Sequence, residues 1–186
     1  LAALDKAKNN YKETDYREAE WKNVTDAYDA AKAGIEAVTD IKDLPGEFVK
    51  TFTDVAKAQK TNAQLTAEEL AAKKAEVIAT LDTEHAKYDE ADYREAEWTR
   101  ITDAYNTAKN GINAVTVITA LPGNFVATFT ATASAQKTDF ELYQSENKTA
   151  INEYADNKGE NNYSAAKWTA IQEYADAACD AIDAAT

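Results

Sequence analysis

Apolar residues recur along this chain at alternating steps of three and four, and the pattern occurs three times. Trp21, Val24, Tyr28, Ala31, Ile35 and Val38 make the first run. Trp98, Ile101, Tyr105, Ala108, Ile112 and Val115 repeat it 77 residues later, and Trp168, Ile171, Ala175, Ala178, Ile182 and Ala185 repeat it after a further 70. Such steps place one apolar side chain per turn on one face of an α-helix, the seam through which helices pack. Alanines beside the seam, Ala27, Ala30 and Ala33, let a second helix approach closely. Each run opens on the same stretch: Asp15 and Tyr16-Arg17-Glu18-Ala19-Glu20-Trp21 return as Asp92 to Trp98, and more loosely as Tyr163-Ser164-Ala165-Ala166-Lys167-Trp168. All three tryptophans of the protein occupy this one position. Asp15 and Asp92 are expected to cap the helix, since short acceptors satisfy its free N–H groups. Glu18 and Glu95 add negative charge to its first turn, where the helix dipole favours it.

A second helix is expected ahead of each tryptophan helix. Its fullest copy runs from Glu68 to Tyr88, where Thr66-x-x-Glu69 has the form of a capping box. Leu70, Val77, Leu81 and Tyr88 then share one face, and Leu1 to about Lys12 reads as the tail of an earlier copy. In the third copy Thr138-x-x-Glu141 repeats the cap, followed by Phe140, Asn147, Ile151 and Tyr154. The repeat spacing falls from 77 to 70 in this stretch. Seven residues are two helical turns, so the deletion keeps the buried face.

A third element spans 40–60 and 117–137. Leu44-Pro45-Gly46 and Leu121-Pro122-Gly123 mark turns, because proline and the residue before it resist helix. Phe48, Phe52, Val55 and Gln59 then have helical spacing, whereas Val126, Thr128, Thr130 and Thr132 alternate with Phe125, Ala127, Phe129 and Ala131 as in a strand. Aromatics four apart and an alanine-rich tail favour a short helix. A β-hairpin across Pro-Gly is the alternative.

Residues 11–61 align with 88–138 without a gap, with 34 identities in 51 positions. Gly34, Pro45 and Gly46 return as Gly111, Pro122 and Gly123, so the backbone breaks recur once per repeat. The expected fold is all-α: tandem three-helix bundles in series, ending in a helical hairpin. The repeats are assigned to 1–64 (its first helix truncated), 65–137 and a partial 138–186. No Pro- or Gly/Ser-rich linker separates them, which predicts a stiff, elongated rod and a monomer.

Composition narrows the partners. Thirty-three acids against 20 bases give a net charge of −13, which repels phosphate backbones and anionic membranes. No apolar run approaches the length needed to span a bilayer. Nucleic acid and membrane insertion are therefore not expected. A chain that starts at Leu1 and holds no methionine reads as a segment of a longer one.

The tyrosine-to-tryptophan unit resembles the FIVAR repeat family, small helical modules found in tandem in Gram-positive cell-surface proteins and large secreted glycan-acting enzymes. That family shows Tyr, Thr or Ser, two free positions, Ser or Thr, Trp, then apolar residues at helical spacing. Tyr163-Ser164 with Trp168, Ile171 and Ala175 fits best. Tyr16 with Trp21 and Val24, and Tyr93 with Trp98 and Ile101, fit with Arg17, Glu20, Arg94 and Glu97 in place of hydroxyls. The likeness covers one to two helices per repeat and leaves out the Leu-Pro-Gly segment. It implies an extracellular location, at the bacterial cell surface or secreted, and a modular role without catalytic residues.

The residues themselves offer little chemistry. His85 is the one histidine and Cys179 the one cysteine, far apart in sequence, so no nucleophilic triad or four-ligand zinc site is expected. The acids at Glu13–Asp15 and Asp89–Asp92 fit turns and caps better than a glycosidase pair. Asp156 to Asn162 has calcium-loop elements, but a lysine at a ligand position favours a plain helix-to-helix turn. No catalytic residue, metal or cofactor is expected. Tyr11, Tyr16, Tyr88 and Tyr93 flank the turn before the tryptophan helix and are the candidate binding residues, with packing between repeats as the competing role. The structural seam is Trp21, Val24, Tyr28, Ile35, Trp98, Ile101, Tyr105, Ile112, Trp168, Ile171 and Ile182. The expected function is a non-catalytic spacer or stalk, with an adhesive face, joined to other domains of the same polypeptide. The alternative is a module that binds a glycan or host protein through its aromatics.

Overall fold

The computed structural model describes residues 1–40, 42 and 47–185. Among them every regular element is helical: α1 (Ala2–Lys8), α2 (Glu18–Ala37), α3 (Phe48–Ala58), α4 (Asn62–His85), α5 (Glu95–Ala114), α6 (Phe125–Ser134), α7 (Asp139–Asn157) and α8 (Ala165–Asp183). The all-α expectation holds. No strand forms among the described residues, and the third element is a helix in both copies. The Leu44-Pro45-Gly46 turn lies outside the described residues. In the second copy a 3-10 turn at Ile118–Ala120 leads to Gly123, whose φ of +58° suits glycine.

Helix wins over strand in the third element because its apolar residues repeat at four. Phe52 and Ala56 on α3 are fully buried, and Phe129 and Ala133 on α6 occupy the same positions. As a strand, the first copy would put Lys50 and Asp54 on the same face as Phe48 and Phe52. The helical form instead gathers the phenylalanines against the seam.

The chain divides into two compact units, Leu1–Lys73 and Lys74–Thr186, and the division falls inside α4. The first unit holds α1 to α3 and the start of α4. Its core is Leu4, Val24, Ala31, Phe52 and Ala56, with Tyr11, Trp21, Tyr28 and Ile35 packed around it. The second unit buries Leu81, Ile101, Ala108, Phe129 and Ala133, the same five positions shifted by 77, and adds Val77, Ile112 and Leu121. In the α7–α8 hairpin only Ala155 and Ala175 are buried among the described residues. Two packed helices without a third cannot enclose a larger core.

Two caps differ from expectation. Asp15 and Asp92 do not cap the tryptophan helices. They end 3-10 turns, Glu13–Asp15 and Glu90–Asp92, and the helices start three residues later with Arg17 and Arg94 as N-caps that make no side-chain cap bond. The intervening pair at 16–17 and 93–94 is extended, which carries the aspartate beyond reach of the helix N–H groups. Glu18 and Glu95 do stand in the first turn. Second, α4 starts at Asn62 rather than Glu68, so Thr66 and Glu69 lie inside it. Its cap is Thr61 with Gln64: the Thr61 N–H donates to Gln64 Oε1 (2.8 Å), and the Gln64 N–H donates to Thr61 Oγ1 (3.3 Å). That is the register of Thr138 and Glu141, which form the expected capping box at the start of α7.

Candidate functional site

The turn before each tryptophan helix gathers the chain's most strongly repeated residues. The 3-10 turn and extended pair hold Tyr16 flat against Trp21, with ring centroids 6.2 Å apart and 27° between planes; Tyr93 lies against Trp98 at 6.4 Å and 25°. Tyr11 meets Phe52 edge-on at 5.8 Å, and Tyr88 meets Phe129 edge-on at 6.0 Å. Edge-on and offset ring pairs are the favoured aromatic geometries. All four candidate binding tyrosines are therefore half-buried and engaged in rings of their own repeat. Burial, more than the neighbouring Tyr11 and Asp15, raises the Tyr16 hydroxyl above its ordinary pKa; burial acts likewise on Tyr93, ahead of Tyr88 and Asp92.

The arginines of the same stretch reach forward along the chain. Arg17 grips Glu69 with both terminal nitrogens, at 2.6 and 2.9 Å. Arg94 pairs with Glu146 in the same register and adds Asp139 through Nε at 2.6 Å. Planar two-point pairs of this kind fix orientation as well as charge. The hydrogen bond from Arg94 holds the Glu146 carboxyl below its usual range, and the Arg17 bond does the same for Glu69. Asn62, which corresponds to Asp139, donates to the Thr14 carbonyl at 3.2 Å. The turn is thus stapled to the first turns of the helix that opens the next repeat.

The seam residues lie where the spacing put them. Val24, Ile101 and Ile112 are buried; Trp21, Tyr28, Ile35, Trp98, Tyr105, Trp168, Ile171 and Ile182 are half-buried. Tyr28 donates to Asp5 at 2.5 Å and Tyr105 to Asp82 at 2.6 Å, another pair repeated at 77. His85 stacks 4.3 Å from Tyr105, 5.7 Å from Trp98 and 5.9 Å from Phe129, a packing position rather than an open one. In the first repeat Lys8 stands there, its ammonium 4.1 Å over the Tyr28 ring. Cys179 is half-buried and points its thiol at Asn152. Asp156 to Asn162 forms a turn, with Gly159 at φ +72° and Asn162 donating to the Lys158 carbonyl at 2.8 Å. No cluster of three metal-binding side chains occurs among the described residues, and no described helix is long and apolar enough to cross a membrane.

The exposed aromatics are elsewhere. Phe140, Tyr143, Tyr154, Tyr163 and Tyr174 stand out from the third copy, Tyr154 at 67% and Tyr174 at 79% exposure. The sequence pattern put Phe140 and Tyr154 on the packed face of α7, where the structure exposes both, and it gave Tyr143 and Tyr174 no role. Compared with protein-family models, curated proteins and solved structures, the chain matches none.

Proposed function

We propose that this chain is a non-catalytic helical repeat segment of a bacterial cell-surface or secreted protein, acting as a spacer that holds other domains of its polypeptide apart. The observation that carries this reading is the recurrence, 77 residues apart, of the whole connection between repeats: Tyr–Trp stack, Arg–Glu grip and threonine cap. A connection repeated to the residue is what a modular array needs, because its stability is a sum of repeat and neighbour terms and length is gained by adding copies. The bacterial surface location rests on the resemblance to FIVAR repeats. Small-angle scattering on the 186-residue chain tests the spacer reading. An elongated monomeric particle is expected, and a compact sphere of 20.3 kDa refutes it.

A second reading, an adhesive module for a glycan or host protein, is favoured by the exposed tyrosines of α7 and α8. Under it, Tyr154→Ala and Tyr174→Ala abolish binding on a glycan or serum-protein array and leave the melting curve unchanged. Tyr16→Ala and Tyr93→Ala lower the melting temperature instead, because those rings pack on tryptophans.

A further inference from the structure

Where the first two repeats differ, the change has a direction. Residues 33–59 carry eight charged side chains, and the aligned residues 110–136 carry none. The neutral stretch takes in all of α6, and it borders a groove between α5 and α6 of about 660 Å³. Its counterpart between α2 and α3 has about 420 Å³. The apolar linings correspond: Ala104, Ala108 and Phe125 in the one, Ala27, Ala31 and Phe48 in the other. The polar linings do not. Thr107 stands in place of Ala30, Thr132 in place of Val55 and Asn124 in place of Glu47, so two apolar groups have become hydroxyls and a carboxylate has become an amide. The Lys50–Asp54 ion pair of α3 gives way to Ala127 and Ala131. Asp26 is paired with Lys22, whereas its counterpart Asp103 has Thr99 in place of that lysine. The side chains of Asp103, Thr107, Asn124 and Thr128 have no hydrogen-bond or ion-pair partner among the described residues.

These changes choose between occupants. A helix packed on the groove would cover Thr107, Thr132 and Asn124 with apolar side chains and leave their polar atoms unpaired, so exchanging Ala30 and Val55 for threonines works against it. An anion finds its one nearby cation, Arg100, already bonded to Glu97 and Gln136. A cation would be better served by Glu47 than by Asn124. A polyhydroxylated ring without charge fits the lining. Its C–H face suits Phe125 and the alanines, and its hydroxyls meet a carboxylate that accepts, an amide that donates and accepts, and hydroxyls that do either. The groove runs along α5 from Asp103 to Gly111, about 12 Å of helix, which is more than a single ring covers.

We propose that the α5–α6 groove binds a short uncharged oligosaccharide, with one ring on Phe125 beside Asn124 and Thr107 and the next bonded by Asp103 and Thr132. The inference goes beyond the adhesive reading, whose tyrosines lie on α7 and α8, and it is independent of the spacer reading, which concerns the connections between repeats.

Tetrasaccharides of glucose, mannose, galactose and N-acetylglucosamine are the probes, each titrated to millimolar concentration into the isotope-labelled 186-residue chain and followed by NMR. A glucuronic acid tetrasaccharide is the charged control. At least one neutral probe is expected to shift amides of α5 and α6 and to leave those of α2 and α3 in place. Thr107→Ala, Thr132→Val and Asn124→Glu together restore the residues of the first groove, which the same fold already accommodates. This variant is expected to keep its melting temperature and to bind at least tenfold more weakly. Asp103→Ala is expected to weaken binding at least fivefold, whereas Tyr154→Ala and Tyr174→Ala leave it unchanged, so the two glycan sites fail separately. No shift with any neutral probe overturns the proposal. Equal shifts in α2 and α3, tighter binding of the charged control, or undiminished binding by the triple variant overturn it as well.

Discussion

Phe52→Ala probes the packing logic most directly. Phe52 has no exposed surface, sits at the centre of the first unit's core and meets Tyr11 and Tyr28 edge-on. Truncating a buried phenylalanine costs about 3–5 kcal/mol, the transfer energy of the ring plus the cavity left behind. The Tyr28 ring is held at its far end by its bond to Asp5, so little collapse into the space is expected and the upper half of that range applies. A unit of 73 residues has a total stability of roughly 4–11 kcal/mol at 0.05–0.15 kcal/mol per residue. The substitution therefore removes a third of it at least, and at the lower end unfolds the unit. The melting midpoint should fall by about 16 °C or more, at 4–8 °C per kcal/mol for a unit of this size. The assay is urea unfolding followed by Trp21 fluorescence in a background where Trp98 and Trp168 are phenylalanine, so that only the first repeat reports. Phe52→Leu in the same background should lose less than half as much. A loss below about 1 kcal/mol for Phe52→Ala would refute the argument, because it would place Phe52 outside any core that resists collapse.

Three further outcomes follow from the local geometry. Thr138→Ala removes the side-chain half of the α7 capping box; it should cost about 1 kcal/mol and speed hydrogen exchange at the first amides of α7, whereas Thr66→Ala, inside α4, should leave exchange at the start of α4 unchanged. Gly123→Ala forces a side chain into φ +58° with its Cβ about 3.0 Å from the Phe125 ring, and should destabilise the second unit by about 1–2 kcal/mol. The Glu146 carboxyl titrates below the ordinary range because Arg94 binds its charged form; the grip is present above the ordinary glutamate pKa and lost as pH falls through the depressed value. A carbon-detected NMR titration should show Glu146 returning to the ordinary range in Arg94→Gln.

The seam of the tryptophan helix was legible because three copies of it, at steps of three and four, leave no other period. The third element was half legible: Phe48 and Phe52 spoke for helix, but the threonines of α6 alternate, and only the burial of Phe129 with Ala133 decides between them. The start of α4 was misread since Thr66 and Glu69 have the right types at the right spacing. The gapless alignment already matched Thr61 to Thr138, so register was the better guide than the motif. Asp15 failed as a cap for a different reason. A 3-10 turn followed by two extended residues has no strong sequence mark, and three residues of offset are enough to break a cap. The roles of Tyr16 and Arg17 depended on partners, Trp21 stacking and Glu69 pairing, that the stretch alone could not name.

Duplicated seats also set a problem in folding. Helices α3 and α6 present the same Phe-x-x-x-Phe-x-x-x-Ala face, so during collapse each could dock where the other belongs. Distance along the chain is what sorts them. Helix α3 begins 11 residues after the end of α2, and α6 begins 88 after it. That eightfold difference in loop length is three doublings, worth about 1.8 kcal/mol of closure entropy, or roughly a twentyfold bias toward the local partner. The bias is real but modest. The copies also differ at the seats themselves, Lys8 against His85 and the charged face of α3 against the uncharged one of α6, and differences of this kind add to the bias against exchanging parts.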